Sequence, residues 1–331
     1  MAKNKIELQI VTRGTYLSVQ NDMFLLKIPD TEQGDIRIST NQVHTISLHQ
    51  DTKISTNALL LALENDITVV LQQASGKQLG SMISARAGSI STIRKKQALF
   101  SASSEVVEWI RDLVIEKINK QLSILYHLLY TQENQKKIIE KAIQKLQHYT
   151  SIIKETTLLS IDKLRGYEGI VAKNYWEVIA CCVPANYYFE RRSQHPAYDM
   201  FNCLLNYGYG MLYQQIEIAL HKAGLDVCLG FFHTDEYNTP TLVFDMIEKY
   251  RFWVDYVAIE LCKQEQIYPE YFDIHDTGAY YLNKQGKHIW IGMVKDFMAE
   301  TIEYTPQNRH ISRNEHIQQD AYALANYLRN W

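Results

Sequence analysis

The spacing of the apolar residues changes once along the chain, near Ala85–Ser89. Before this point, apolar and polar residues alternate over short segments such as 6–11 and 42–48, which is the pattern of half-buried strands. After it, apolar residues recur every three or four positions over stretches such as 106–130 and 138–153, as they do on amphipathic helices. Because the two patterns do not mix, the sequence predicts an α+β fold with its strands and helices in separate parts.

We therefore expect two domains, a small β-sandwich-like domain over residues 1–86 and a larger all-α domain over residues 87–331. A length of 331 residues also suggests two domains more readily than one. Within the first domain, the pattern predicts one short helix that is capped by Ser55 or Thr56. A hairpin that turns at residues 75–77 is expected to close this domain.

The composition excludes several classes of protein. Hydrophobic residues make up 46% of the chain, and no apolar run approaches the roughly 20 residues that span a bilayer. The first residues carry charge where a signal peptide needs an apolar core, so we expect a cytoplasmic protein. The five cysteines show no Cys-x-x-Cys spacing, which predicts reduced core thiols rather than a zinc cage or disulfides. A net charge of −3 decides nothing about nucleic acid, because an acidic site and a basic face cancel in the sum.

A histidine and two carboxylates lie close together in the second half of the chain. His233 follows an apolar segment, and the helical pattern after it carries Asp245 and Glu248, which are three residues apart and so share one face. We expect Thr239 or Thr241 to cap that helix. Two acids on an apolar helix need a cation, a basic partner or water. A divalent metal completed by His233 meets this need, but acids in water beside a hydrogen-bonded core histidine fit the pattern as well.

Glu168 is a further candidate ligand, since it lies between Gly166 and Gly169 in a segment that is expected to begin a helix. At a helix start, its carboxylate lies at the positive end of the helix dipole, which favours the ionised form that binds metal. An ordinary acid of the first helical turn gives the same pattern. The sequence around Glu168 alone therefore does not separate the two interpretations.

Three ordered segments carry a resemblance to a known family. They are Gly224-Leu225-Asp226-Val227, Gly230-Phe231-Phe232-His233 and Phe244-Asp245-Met246-Ile247-Glu248-Lys249-Tyr250-Arg251. In this order and at about this spacing, they resemble the CRISPR-associated spacer-acquisition integrase/endonuclease family, Cas one. Val227 and Phe252 stand where that family usually has prolines, a departure that affects loop and helix-end geometry rather than a ligand.

The resemblance implies a metal-dependent DNA endonuclease and integrase of CRISPR adaptation. In this reaction the 3′-hydroxyl of a short DNA fragment attacks a phosphodiester of the CRISPR array, and the fragment becomes a new spacer. Glu168, His233 and Glu248 are the implied metal ligands and catalytic residues, with Asp245 as an orienting residue or occasional ligand. Two oxygen ligands and one imidazole suit Mg²⁺ or Mn²⁺. The resemblance also implies that the α-helical domain is catalytic, that the β domain forms a homodimer, and that a small adaptation partner, Cas two, joins two dimers.

Six further residues are candidates for nucleic-acid binding: Lys173, Arg191, Arg192, Asn202, Tyr213 and Arg251. Arg191 and Arg192 lie beside a polar loop and suit phosphate contact. Asn202 and Tyr213 are eleven residues apart, about three helical turns, so they share a face. The role of Asp255, at the place of a family aspartate, stays open, and Asp273–Asp276 is expected to be a loop.

Two other functions remain possible at this level. The chain can be an integrase relative that serves a mobile element, with the same chemistry on different DNA. It can also be a non-catalytic DNA-binding scaffold that has kept the fold. Against the scaffold, a degenerate site is expected to lose its ligands, whereas Glu168, His233 and Glu248 are all present.

Overall fold

The structure, a computed structural model, describes residues 6–29, 34–73, 78–84, 90–194, 196–233 and 239–331. It divides into two compact units, Met1–Ile90 and Ser91–Trp331. The domain boundary expected between residues 86 and 87, and the turn expected at 75–77, lie outside the described residues.

The first unit is built mainly of strands. They are β1 (Ile6–Ile10), β2 (Tyr16–Gln20), β3 (Met23–Lys27), β4 (Ile36–Ser39), β5 (Val43–His49), β6 (Lys53–Ile54), β7 (Thr68–Gln72) and β8 (Gln78–Met82), with helix α1 (Thr56–Glu64) between β6 and β7. The described strands form two four-stranded sheets, in the orders β1-β5-β7-β8 and β4-β3-β2-β6. Strand β5 is parallel to both β1 and β7, whereas β8 runs antiparallel to β7.

One apolar core serves both sheets of this unit. Leu17 and Phe24 from one sheet and Ile46 and Val69 from the other belong to the same buried cluster, together with Ala58 of α1. Two sheets that share one core form a sandwich-like arrangement, as the alternating pattern predicts. Ser55 caps α1 as expected, since its hydroxyl accepts the Ala58 N–H at 3.2 Å.

The second unit is mainly helical. Its helices are α2 (Ile90–Ser101), α3 (Val106–Thr131), α4 (Lys136–Glu155), α5 (Ile161–Cys182), α6 (Met200–Lys222), α7 (Thr241–Ile247), α8 (Arg251–Lys263), α9 (Lys284–Ala299) and α10 (Arg313–Asn330). Strands β9 (Phe272–Ile274) and β10 (Tyr280–Leu282) form one short antiparallel pair, and β11 (Thr301–Tyr304) and β12 (Arg309–Ser312) form another. The α+β fold class is confirmed. The two strand pairs were not expected, because three or four residues are too few to show a strand period.

Helices α6, α8 and α9 approach one another closely at Gly208. A Cβ atom at this position would lie 2.5 Å from Cγ1 of Val254 and 2.9 Å from Cζ2 of Trp290. Only glycine leaves room for this approach, which also brings Tyr209 of α6 next to α8. The packing of α6 on α8 therefore depends on a single missing side chain.

The segment Asp273–Asp276 and the cysteines differ in part from the sequence-based expectations. Strand β9 includes Asp273 and Ile274, so the segment Asp273–Asp276 is a loop only in its second half. All five cysteines are free, but Cys181 and Cys228 are exposed, so only the other three are the expected core thiols. Within the described ranges, no helix has both the length and the apolar character needed to cross a membrane.

Candidate active site

Asp245 of α7 is fully buried and holds the segment that carries His233. Its Oδ2 accepts the backbone N–H groups of Phe231 at 2.5 Å and Phe232 at 3.0 Å. Its Oδ1 accepts both the backbone N–H of His233 at 2.9 Å and the ring Nδ1–H of His233 at 2.7 Å. With Nδ1 used in this way, Nε2 is the nitrogen that remains for a ligand, an arrangement common around metal-binding histidines.

The segment before His233 is held from two other sides. Gln97 of α2 is buried and its amide nitrogen donates to the carbonyl groups of Asp226 and Leu229, both at 2.8 Å. The Thr241 hydroxyl accepts the Gly230 N–H and donates to the Cys228 carbonyl, each at 2.9 Å. The cap expected from Thr239 or Thr241 is therefore wrong. Pro240 takes the cap position without a side-chain bond, and Thr241 connects α7 to the preceding segment instead.

Glu168 and Glu248 meet at one amine. Lys117 of α3 forms a hydrogen bond with Oε1 of Glu168 on α5, and its Nζ lies 2.5 Å from Oε2 of Glu248, which follows α7. Burial alone would raise the pKa of Glu248, but the charges of Arg251 and Lys117 lower it to about 2. Burial would lower the pKa of Lys117, but Glu248 and Glu168 raise it. The Glu248 carboxylate and the Lys117 ammonium group therefore both remain charged although they are largely buried.

One carboxylate oxygen of this cluster lacks a hydrogen bond within the described residues. Oε2 of Glu248 is buried and, among the described residues, has no hydrogen-bond partner, although Lys117 Nζ is 2.5 Å away. The geometry of this contact is unfavourable for a hydrogen bond, but the attraction between the two charges depends on distance, so the contact is an ion pair. The Tyr213 hydroxyl is also buried without a partner in the described part of the chain. Buried polar atoms of this kind call for an explanation, of which a bound water or ion is one.

The structure places Glu168 inside a helix rather than at its start. Helix α5 begins at Ile161, where the Ser160 hydroxyl accepts the Lys163 N–H at 3.3 Å. Glu168 therefore lies about two turns inside the helix, and the expected contribution of the helix dipole is wrong because that effect falls off within the first turn. The charged partner of Glu168 is Lys117 instead.

Asp245 on α7 and Glu248 just after it are both buried, so the interpretation of them as acids in water is wrong. Asp245 is 0% and Glu248 6% exposed. Asp245 faces the His233 segment, whereas Glu248 faces Lys117 and accepts a hydrogen bond from Nε of Arg251 at 2.8 Å. Arg165, one turn before Glu168, donates to the Phe232 carbonyl at 2.5 Å and so connects α5 to the segment of His233.

The structure thus brings the four acid and histidine candidates together as two pairs. Glu168 and Glu248 share Lys117, and His233 is bonded to Asp245. In the ranges that the structure describes, no three His, Cys, Asp or Glu side chains form one group that could hold a metal ion. The pairs are nevertheless linked through the backbone of α7, which carries Asp245 and is followed directly by Glu248.

The residues expected to contact nucleic acid fall into two groups. Lys173 is 77% exposed and lies 4.0 Å from Glu177, and Arg191 is exposed as well. Arg192 is bonded internally, because its Nη1 donates to Oδ1 of Asn202 at 2.6 Å and its Nη2 to Oδ1 of Asn206 at 2.7 Å.

Asn202, Tyr213 and Arg251 face the interior to different extents. Asn202 is 0% exposed, and its amide nitrogen donates to the Arg191 carbonyl at 3.0 Å, so it holds the loop in place. Tyr213 lies on the same helix, α6, as expected, with its ring edge-on to Phe244. The Arg251 side chain is 25% exposed and pairs with Glu248.

Lys117 and Tyr209 were not among the candidates from the sequence, and Asp255 was named there with its role left open. Lys117 is one of several charged residues in the amphipathic pattern of α3, so nothing local distinguishes it. Asp255 did carry a signal, since an acid with apolar residues on either side along α8 is expected to be buried and to need partners. Those partners are the hydroxyl groups of Tyr175 and Tyr209.

Comparison with known proteins gives the family. The family model described as CRISPR associated protein Cas1 matches residues 8–296. A CRISPR-associated endonuclease Cas1 of Chlorobaculum tepidum is 27% identical over 337 residues, covering 99% of this chain and 96% of the relative. Another, of Archaeoglobus fulgidus, is 28% identical over 274 residues, covering 78% of each chain.

Solved structures show the same fold. A casposase bound to integration product has a TM-score of 0.78 at 20% identity, covering 99% of this chain and 91% of that chain. A CAS1 protein from Thermotoga maritima has a TM-score of 0.76 at 19% identity, covering 97% and 96%. A chain of a Cas6-RT-Cas1–Cas2 complex has a TM-score of 0.75 at 21% identity, covering 99% of this chain and 35% of that chain. Since the family model spans most of the sequence, including every residue of both acid and histidine pairs, the chain belongs to the Cas1 family.

Proposed function

We propose that this chain is a metal-dependent DNA endonuclease and integrase of CRISPR adaptation. It inserts short DNA fragments as new spacers by attack of a 3′-hydroxyl on a phosphodiester. Curated relatives are named endonucleases, and one structural neighbour is a casposase bound to integration product. The observation that carries the proposal is the buried cluster of Glu168, Glu248 and Lys117, in which one carboxylate oxygen lacks a hydrogen bond.

The donor types of the two pairs suit a hard divalent cation, which would have to bring Glu168, Glu248 and His233 into one group. Glu168 and Glu248 already share one positive charge, that of the Lys117 amine, and Oε2 of Glu248 makes an ion pair but no well-aligned hydrogen bond within the described residues. The imidazole of His233, with Nδ1 bonded to Asp245, has Nε2 left as a donor. Two carboxylates and one imidazole suit Mg²⁺ or Mn²⁺. Held by these residues, such an ion would polarise the phosphodiester and stabilise charge on the departing oxygen.

The residues around this cluster have separate tasks in the proposal. Asp245 holds the His233 ring in one orientation and does not itself bind DNA, because both its oxygens are engaged. Arg251 and Lys117 bind phosphate oxygens through charge-assisted hydrogen bonds. The buried Tyr213 hydroxyl, which lacks a partner among the described residues, donates a further hydrogen bond to the substrate. No covalent intermediate with the protein is needed.

DNA outside the reacting phosphate is bound by the exposed basic residues. Lys173 and Arg191 are accessible and suit the DNA backbone. Arg192 and Asn202 act indirectly, since their contacts hold the loop that carries Arg191. We further propose a homodimer that forms through the β unit, and a small Cas2 partner. The likeness to a chain of a Cas6-RT-Cas1–Cas2 complex supports the second partner.

The test is strand transfer of a short labelled duplex into a supercoiled plasmid that carries a CRISPR array, with the small partner supplied. Native protein, His233→Ala and Glu248→Gln are compared in Mn²⁺, in Mg²⁺ and with chelator. His310→Ala is the matched control, because His310 is an exposed histidine on β12. We expect products from the native protein and the control in either metal, none with chelator, and a loss of at least about 100-fold in both site variants.

Two outcomes would contradict the proposal in different ways. If His233→Ala binds and joins DNA as well as the native protein, the assignment of His233 to the metal site is wrong. If native protein binds DNA but joins none in any metal, the chain is a scaffold rather than an integrase.

A further inference from the structure

Asp255 is a buried carboxylate with an unusual set of partners. It is 2% exposed, its Oδ2 accepts a hydrogen bond from the Tyr175 hydroxyl at 2.9 Å, and its Oδ1 accepts one from Tyr209. In the described part of the chain, no lysine, arginine or histidine forms an ion pair with it. A buried acid whose hydrogen bonds come only from two phenols costs stability, which calls for a further role to explain it.

Tyr209 connects Asp255 to Arg251. The guanidinium of Arg251 lies over the Tyr209 ring, 4.6 Å from its centre, and the guanidinium of Arg192 lies 5.4 Å from the same centre. Both distances are within the range of cation–π attraction. Because the hydroxyl of Tyr209 is bonded to Asp255, the far end of the ring cannot swing away from α8 without losing that bond. The ring is therefore anchored at its hydroxyl end beside Arg251.

Arg251 is also held at its other side, and its outer nitrogens remain for a ligand. Its Nε donates to Oε1 of Glu248 at 2.8 Å. Neither of its two Nη groups forms a hydrogen bond within the described residues, and the side chain is 25% exposed. A guanidinium that is fixed at Nε and on one face presents two parallel N–H groups in one direction, which matches the oxygens of a phosphate.

We propose that Tyr209 and Asp255 are positioning residues for Arg251, which they hold with its Nη groups ready for a phosphate oxygen pair beside Glu248. This inference rests on the proposed function, because the phosphate is that of the DNA substrate. Tyr209 and Asp255 do not contact DNA in this scheme. They act through Arg251 by removing the freedom it would otherwise lose on binding.

A purely structural role for the pair makes a different prediction. If Asp255 and Tyr209 only join α6 to α8, their variants lower stability, and any loss of binding is independent of Arg251. The chain contains a matched pair for comparison, since Asp320 is a second largely buried aspartate and accepts a hydrogen bond from the buried Tyr304 at 3.2 Å. Neither Tyr304 nor Asp320 has a contact with Arg251 in the described residues. Tyr304→Phe therefore removes a tyrosine–aspartate hydrogen bond of the same kind at a site that does not contact Arg251.

The experiment measures coupling between these residues in DNA binding. Binding of a fluorescein-labelled forked duplex is measured by anisotropy at fixed salt and with chelator. The proteins compared are Tyr209→Phe, Asp255→Asn, Arg251→Gln and the two double variants that combine Arg251→Gln with Tyr209→Phe or with Asp255→Asn. We expect about 5-fold weaker binding for each positioning variant and about 10-fold for Arg251→Gln. Each double variant is expected to bind no more weakly than Arg251→Gln alone, and Tyr304→Phe to bind within about 2-fold of native protein. Losses that multiply in the double variants, or an equal loss in Tyr304→Phe, would overturn the inference.

Two further measurements keep the result clear. If Arg251→Gln fails to fold, Arg251→Lys replaces it in the double variants, since it keeps the charge but lacks the planar face. The loss of DNA binding caused by Tyr209→Phe must then be smaller in Arg251→Lys than in native protein.

Nuclear magnetic resonance of the arginine Nε–H groups needs no DNA at all. We expect the Arg251 signal to show slow hydrogen exchange in native protein and at least about 10-fold faster exchange in Tyr209→Phe and Asp255→Asn. Unchanged exchange in both variants would contradict positioning.

Failure of the inference can be told apart from failure of the proposed function. Binding with chelator and the Nε–H signal require no chemistry, so they report on positioning even if native protein transfers no DNA strand. Conversely, native protein that transfers DNA strands while the double variants show independent losses would support the integrase and reject the role of Tyr209 and Asp255.

Discussion

Oδ1 of Asp245 lies 2.9 Å from the backbone nitrogen and 2.7 Å from Nδ1 of His233, so one carboxylate oxygen holds both the backbone and the ring of the same histidine. A residue fixed at two points keeps its ring in one orientation. The Nε2 atom of His233 is thereby held in one place for a ligand. The energetic cost of this arrangement is the complete burial of the Asp245 carboxylate.

Asp245→Asn is expected to damage both stability and strand transfer. An amide cannot accept from all four N–H groups that now point at the carboxylate, so at least one buried donor loses its partner. We expect the free energy of unfolding in urea to fall by about 2–4 kcal/mol and strand transfer, measured below the unfolding transition, to fall by about 10- to 100-fold.

The control for this variant is Asp320→Asn. Asp320 also accepts hydrogen bonds from buried phenols, those of Tyr250 at 2.6 Å and Tyr304 at 3.2 Å, but it does not contact His233. It should lose stability while it keeps most of the strand transfer of native protein. Equal activity of Asp245→Asn and Asp320→Asn would show that Asp245 only supports the fold.

Lys117→Met is expected to make the stability of the protein depend on divalent metal. Without the amine, Glu168 and Glu248 face each other with no cation between them, apart from the contact of Glu248 with Arg251. Breaking a buried ion pair on one side costs about 3–5 kcal/mol. Because the competing amine is gone, Mn²⁺ should bind this variant more tightly than native protein and restore part of the lost stability.

The measurement is the unfolding temperature across a titration of Mn²⁺, with calorimetry for the affinity. Lys145→Met is the control, since Lys145 bonds to Asn174 on the protein surface and touches neither glutamate. We expect the unfolding temperature of Lys117→Met to rise with Mn²⁺ by more than that of native protein or the control. A variant that is destabilised but indifferent to Mn²⁺ would argue that the two glutamates do not hold metal.

The parts of the fold that depend on neighbouring residues could be predicted from the sequence. The turn between β2 and β3 is one example, since Asn21 and Asp22 both adopt positive φ, 52° and 55°, as two-residue hairpins require. The cap of α1 by Ser55 is another, because the donor is only three residues away. In both cases the contact is made within a few residues, so the local pattern contains it.

The missed parts of the site depend on packing between distant helices. Lys117 is 51 residues from Glu168, and its place between two glutamates follows from how α3 packs on α5 and α8. Likewise, Tyr209 reaches Asp255 because Gly208 lets α6 approach α8 closely. No period or spacing contains such contacts. The motifs identified Glu168, His233, Asp245 and Glu248 as candidates, but their arrangement into two pairs could only come from the structure.

Gly208→Ala and Gly210→Ala are expected to change stability in opposite directions. Both glycines lie on α6, but a Cβ at Gly208 would meet Val254 and Trp290 below 3.0 Å, whereas a Cβ at Gly210 has no atom within 4 Å. Overpacking at Gly208 should cost about 1–3 kcal/mol and disturb the neighbouring Tyr209. At Gly210, alanine should add about 0.5–1 kcal/mol because it reduces the freedom of the unfolded chain. Urea unfolding measures both, and a stabilised Gly208→Ala would show that α6 and α8 can separate without cost.

The pH dependence of stability should contain a contribution from Asp255. Burial raises the pKa of its carboxyl from 3.8 to about 6, although hydrogen bonds from Tyr209 and Tyr175 and the charges of Arg251 and Arg192 oppose the rise. Between these two values, the folded protein binds a proton at Asp255 that the unfolded chain has released. The free energy of unfolding therefore falls as the pH rises from about 4 to about 6, by about 3 kcal/mol if Asp255 acted alone.

Comparison with Asp255→Asn isolates this contribution, because every other titrating group is present in both proteins. The variant cannot release a proton at position 255, so its stability relative to native protein should improve steadily as the pH rises from about 4 to about 6 and then level off above about 7. Urea unfolding at five pH values across this range measures the difference. A constant difference between the two proteins would mean that Asp255 keeps its ordinary pKa, and that Tyr209 and Tyr175 together with the nearby guanidinium groups compensate its burial in full.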